Sequence, residues 1–297
     1  MYNRRMIKFT YVGAEKSLKN AVLENYDRMS YASLQKILRK KDVKVNGVRI
    51  SSSIEVKSGD IIEIYADDSV ISGEVPIVAS YEDNNILVVH KPTNIEVTSL
   101  DNKTDLEFFV NKYLAEKKQV GQACHRLDRN TSGLVIFAKN QAAYEEVYDT
   151  LKKHKLEKYY LAIVYGNFTK PTDTLSAYLV KDKISSMSYV SASKKEGGEL
   201  ITTKYTVLKE KKGFSLVEVE LITGKTHQIR AHMAYINHSV VGDSKYSPRE
   251  KFVACKFKNQ LLWAYKIKFN FLGQLAYLKD QVVQIDTEEI NNIFNSL

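Results

Sequence analysis

The chain has 297 residues, 44% of them hydrophobic, enough for one small and one large domain with real cores. Forty-four Lys and Arg against 35 Asp and Glu leave a formal net charge of +9 and a pI near 9.2, which favours a polyanionic partner such as RNA. Two cysteines, Cys124 and Cys255, argue against a disulfide framework, and the lack of a signal peptide or long apolar stretch sets a cytoplasmic, membrane-free expectation.

At the amino-terminal end, Ser17 to Lys41 reads as two short helices, and Val43-Lys44-Val45-Asn46-Gly47 as a strand entering an Asn-Gly hairpin turn. Val56 to Ile64, with Gly59-Asp60 inside it, reads as another turn and strand, and Asp67 to Pro76 as a linker. A charge run alone is usually a solvated face. Here the order Val-x-Val-Asn-Gly, then Gly-Asp-x-Ile, resembles the small RNA-binding domain of the S-four type. That resemblance implies an RNA-facing surface made of Lys36, Arg39, Lys40, Lys41, Lys44 and Arg49. The expected division is residues 1–70 for this domain and 71–297 for the second.

The second domain opens with Tyr81 to Asn85 as a turn and Ile86 to His90 as a buried strand, stopped at Lys91-Pro92 because proline cannot continue a ladder. Thr93-Asn94 follows, and Asn tolerates the positive φ of a tight turn. Next, His125-Arg126-Leu127-Asp128-Arg129-Asn130-Thr131-Ser132-Gly133 sets one carboxylate in a basic loop before the apolar run Leu134 to Ala138. An acid between Arg126 and Arg129 is expected to stay ionised near neutral pH and to serve as nucleophile or base. The plainer reading is an Asp that caps a turn with Thr131 and Ser132.

Asn140 to Lys153 carries Ala143, Tyr144, Val147 and Leu151 at helical spacing, and Glu157 to Gly166 reads as a strand with a bend. Val207 to Leu221 reads as a hairpin about Gly213. Thr223-Gly224-Lys225-Thr226-His227-Gln228-Ile229-Arg230-Ala231-His232-Met233 and Val241 to Tyr246 complete the polar segments. His227 and His232, with His125 as a third ligand, invite a metal reading. They lie five apart with no acid between them, so one helix face would not present both, and no metal is expected. No Gly-rich phosphate loop is present either, which argues against nucleotide hydrolysis.

The loop HRLDRNTSG is similar along its whole length to the signature of the RluA-type pseudouridine synthases. The strand ending in Lys91-Pro92, the Lys158-x-Tyr160-x-Ala162 segment and the Thr223 to Met233 segment resemble that family's other pieces in the family's order. Trp263, within Gln260-Leu261-Leu262-Trp263-Ala264, departs from the usual Leu-His-Ala. The resemblance implies an α+β fold: a mixed, largely antiparallel sheet flanked by helices, with the cleft across its middle. It implies catalysis by Asp128, with Tyr160 stacking on the target base and Arg230 pairing with the carboxylate. Ile229 packs beneath the uracil, Arg126 fills the space that the base vacates, and His125 and His227 complete the substrate-binding set. It further implies an isomerase that needs no cofactor and acts on large-subunit ribosomal RNA or else on transfer RNA. The oligomeric state is open, with monomer the default expectation. Two readings compete: a non-catalytic RNA-binding protein on the same fold, and a nuclease using His125 or His227 with Asp128.

Overall fold

A computed structural model describes residues 4–26, 29, 31–67, 75–99, 105–182 and 187–297. The chain divides into two compact units, Met1–Pro76 and Ile77–Leu297. Most of the expected linker, residues 68–74, lies outside the described residues. No helix among the described residues is long and apolar enough to cross a membrane.

In the first unit, α1 (Leu18–Asn25) and α2 (Tyr31–Arg39) pack their apolar faces on a four-stranded sheet. The sheet runs β1 (Arg4–Thr10), β6 (Ile61–Asp67), β3 (Val43–Val45), β4 (Val48–Ile50), all antiparallel, while the short β2 (Lys16–Ser17) and β5 (Glu55–Val56) pair separately. Leu18, Leu34, Val43, Ile62 and Ile64 are fully buried and form the core. Asn46 and Gly47 both take positive φ, 49° and 81°, as a tight hairpin of the primed type requires. Strand β1 pairs with β6 over its whole length and was not legible beforehand, because its basic and apolar residues carry no turn signal in front of them.

The second unit is built on an 11-stranded sheet whose main path is β13 (Met187–Ser191), β12 (Thr172–Asp182), β14 (Glu199–Lys211), β15 (Phe214–Leu221), β11 (Glu157–Tyr165), β16 (Leu262–Lys268), β10 (Ser132–Ala138), β8 (Ile86–Lys91), β7 (Ala79–Glu82). Strands β9 (Gln122–Ala123) and β17 (Val282–Gln284) attach to β10 and β16. Only the β10–β16 pairing is parallel among the described strands. The unit is therefore α+β with a mixed, largely antiparallel sheet. Helices α4 (Gln141–Lys152) and α7 (Glu288–Asn295) bury Ala143, Val147, Ile290 and Phe294 against Ile86, Val88, Leu134 and Ile136 of the sheet. α3 (Leu106–Ala115), α5 (Gln228–Tyr235) and the short α6 (Arg249–Ala254) complete the α-helices among the described residues of this unit.

Two local differences from the sequence reading have simple causes. Ala79–Glu82 is an edge strand on β8, and the turn begins only at Asp83, whose Oδ1 accepts the Asn85 and Ile86 amides at 2.7 and 2.8 Å. The β14–β15 hairpin closes through both Lys212 and Gly213, at φ 49° and 79°. Gly133, at the mouth of β10, has φ 118°, and a Cβ there would stand 2.2 Å from the Ala264 carbonyl oxygen of β16. No side chain fits between the two parallel strands at that point.

Candidate active site

The loop from Cys124 to Thr131 is held from three sides. On the β10 side, the Cys124 amide donates to the Ile136 carbonyl at 2.9 Å, and His125 Nε2 accepts the Ile136 amide at 3.1 Å. From β8, Lys91 is fully buried and its ammonium donates to the carbonyls of Pro92, Ile95 and Arg129 at 3.0, 2.8 and 3.0 Å, joining the Lys-Pro turn to the loop. Burial pulls the Lys91 pKa down to about 7, against the opposing pull of Asp128. From the third side, Gln260 Nε2 donates to Thr131 Oγ1 at 2.8 Å. The Thr131 amide closes a turn on the Asp128 carbonyl at 3.0 Å.

That turn leaves the Asp128 carboxylate free of any capping duty. Its Oδ2 accepts Arg230 Nη1 at 2.8 Å and faces His227 Nε2 at 3.8 Å. The capping reading is therefore incorrect for the side chain. The two-pronged face of Arg230, through Nε and Nη2, meets Asp243 at 2.6 and 2.9 Å, while Nη1 serves Asp128. Asp243 is wholly buried and also accepts the Lys245 and Tyr246 amides at 2.9 and 3.2 Å. Burial works against the Arg230 charge, but hydrogen bonds and attraction from Asp243 and Asp128 outweigh it and raise the pKa further. Asp243 was visible only as the acid of the Val-Gly-Asp turn, with nothing to name its partner.

Tyr160 stands on β11, 7% exposed, its pKa raised by burial first and by the Asp128 charge second. Its phenol is neutral at physiological pH. Ile229, on the first turn of α5, is 4% exposed and lines the same cleft. His227 precedes that helix in the left-handed region, φ 59°, and its Nδ1 is hydrogen-bonded to the Tyr246 hydroxyl at 2.9 Å. The same hydroxyl accepts the Ser188 amide at 2.8 Å, so Tyr246 ties the His227 ring to the Met187–Ser191 strand. His232 bonds instead to Thr203 Oγ1 at 3.0 Å, on a different side of α5. The three histidines thus have separate partners.

The cleft encloses about 500 Å³ and gathers His125, Arg126, Asp128, Tyr160, His227, Ile229 and Arg230, together with Leu127, Leu221 and Leu262. It also holds Lys158, two positions before Tyr160, which drew no assignment from the sequence. Burial lowers the Lys158 pKa to about 8. Cys124 borders the cleft as an inert thiol, its pKa pushed up to about 12 by burial. Trp263, at the position that departs from the family pattern, pairs with Ser132 and Leu161 and packs on the core beneath the loop.

In the first unit, Lys36, Arg39, Lys40 and Lys41 are exposed on α2 and the turn after it. Lys44 and Arg49 are cross-strand neighbours and lie over the Tyr65 ring at 5.2 and 5.7 Å. Each is near an acid, Lys44 to Glu63 at 3.6 Å and Arg49 to Asp42 at 3.8 Å.

The fold that carries this site has structural counterparts. The fold is that of pseudouridylate synthase domains. It matches human RNA Pseudouridylate Synthase Domain Containing 1 with a TM-score of 0.56 and 21% identity over 75% of this chain and 96% of that one. The corresponding Domain Containing 4 protein matches at 0.57 and 19%, over 70% and 87%. Residues 85–235 match the family model for RNA pseudouridylate synthase. The ribosomal large subunit pseudouridine synthase D of Blochmanniella floridana is 35% identical over 252 residues, 79% of this chain and 76% of its own length. The ribosomal large subunit pseudouridine synthase C of Salmonella typhi is 31% identical over 73% and 72%. The chain belongs to the RNA pseudouridylate synthase family and is an isomerase that converts uridine in RNA to pseudouridine.

Proposed function

We propose that this enzyme modifies uridines of large-subunit ribosomal RNA with Asp128 as its nucleophile. The observation that carries the reading is the Asp128 carboxylate, held at 2.8 Å by Arg230 in the cleft that Tyr160 and Ile229 line. The reaction breaks the ribose bond to a uracil nitrogen, turns the base and rejoins it through carbon, so substrate and product are isomers and one proton is moved. The protein must extrude the base, supply a nucleophile and manage that proton.

Extrusion of a paired uridine costs a few kcal/mol. Stacking on Tyr160 returns about 1 to 3 kcal/mol, which offsets much of it. Arg126, exposed at the edge of the cleft, is placed to fill the vacated position. Arg230 presents the carboxylate in one orientation through an anchor it does not share with solvent, so its contribution falls on the chemical step rather than on RNA binding. His227 and His125 hold the walls of the cleft. The basic face of the first unit, from Lys36 to Arg49, supplies sequence-independent phosphate contacts. The ribosomal assignment is supported by the large-subunit synthases among the relatives. A cytoplasmic location is part of the same proposal.

The test is to map pseudouridine in ribosomal and transfer RNA from cells lacking the gene, with wild-type or Asp128→Asn protein restored. Large-subunit sites should vanish, return with the wild type and stay absent with the variant. Loss at transfer RNA positions alone would overturn the substrate, and restoration by Asp128→Asn would overturn the nucleophile.

A further inference from the structure

Lys158 and Tyr160 stand two apart on β11, so their side chains leave the same face of the strand, about 7 Å apart along it. Both line the cleft. The Lys158 amine has no hydrogen-bond acceptor or carboxylate among the described residues. It lies so close to Gly224 that a Cβ there would stand 3.1 Å from it. The charges around it explain why no partner is at hand. Asp128 is the only acid lining the cleft among the described residues, and Arg230 takes it; Lys225, across the cleft, is bound by Glu199 at 2.6 Å.

A half-buried ammonium without a counter-charge is a cost to the folded protein. Nothing in the packing of β11 requires it, since an apolar chain of the same length would fill the same space. A ligand anion removes that cost. We propose that Lys158 binds a backbone phosphate flanking the target uridine, and so fixes the ribose between Tyr160 and Asp128. A nucleotide whose base lies on Tyr160 carries its phosphates one ribose away, which is the spacing the strand provides. Near pH 7 the amine is charged, the state a phosphate needs. The inference rests on the RNA isomerase reading and adds to it a positioning residue for the sugar–phosphate.

The test uses the full-length enzyme and unmodified large-subunit ribosomal RNA labelled with [5-³H]uridine, from which each conversion releases tritium. Lys158→Met should raise KM roughly 10- to 100-fold, the range for a lost charge-assisted hydrogen bond, with a smaller change in kcat. Lys158→Arg should recover most of it, and neither should lower Tm. A short RNA carrying a neutral methylphosphonate on the 5′ or 3′ side of the mapped uridine supplies the second arm. At one of the two positions the wild type should lose the same factor, and Lys158→Met should lose nothing more. A loss confined to kcat, an unchanged KM, or methylphosphonate effects that add fully to the substitution would each overturn the phosphate role. Absence of tritium release by the wild type would instead overturn the isomerase reading on ribosomal RNA.

Discussion

Asp128 and Asp243 share one guanidinium: Arg230 spends two N–H groups on the buried Asp243 and a third on Asp128. The division is unequal in both geometry and surroundings. Asp243 takes the planar fork in a dry pocket, where the arginine cannot swing, and Asp128 receives a single directed bond at the cleft surface. Asp243 is a positioning residue that acts through Arg230.

Asp243→Asn is expected to break that anchor. Loss of one partner of a buried charge pair typically costs about 3 to 5 kcal/mol, so the variant should melt earlier in urea. A small displacement of Arg230 should lower single-turnover pseudouridine formation by about 100-fold, with little change in RNA affinity. A wild-type rate in a folded Asp243→Asn sample would show that Arg230 needs no anchor.

Gly133→Ala should be among the most damaging single-methyl changes in the chain. The new carbon would meet the Ala264 carbonyl oxygen at 2.2 Å while φ is 118°, so the β10–β16 pairing must open. Overpacking and backbone strain together are expected to cost about 3 kcal/mol or more. The urea midpoint measures this; a shift under a third of that size would mean the strands separate cheaply.

Acid should destabilise the second unit through its buried histidines. Burial lowers the pKa of His232, 1% exposed, to about 4 and that of His125 to about 3, whereas an unfolded histidine titrates near 6.5. Between those values the unfolded chain binds protons that the folded chain refuses. Stability is therefore full above pH 6.5 and falls as pH drops, by up to about 1.4 kcal/mol per pH unit for His232. Urea melts at pH 7, 5.5 and 4.5 give the slope. His232→Gln should flatten it, and an unchanged slope in that variant would remove His232 from the account.

Residues 77–297 should fold alone, because that unit has its own sheet and core. The fragment is expected to convert uridine in a minimal RNA, with weaker binding to long RNA and a shallower salt dependence than the whole chain shows. Equal affinity of fragment and full chain across a salt series would strip the first unit of its proposed role.

Much of the site was legible because its chemistry lies in short contiguous segments: 125–133, 158–162 and 223–233. Residues there are close in space for local reasons, whether a turn, one strand face or a helix start. What stayed hidden depends on pairs far apart in the chain. Asp243 looked like a turn residue until Arg230 folded onto it. Lys158 was visible as part of a segment but had no role until the Gly224 loop closed over it, and β1 had no visible partner before β6 formed. Element boundaries failed where polar residues hid an edge strand, as at Ala79–Glu82.

Lys91 is the feature with the widest reach. Its ammonium satisfies three carbonyls from two segments and is sealed from solvent, so the loop bearing Asp128 is set before any RNA arrives. A mould that is already hard cannot meet its substrate halfway. The deformation is expected to fall on the RNA, so uridines that leave their stack at low cost should be modified fastest.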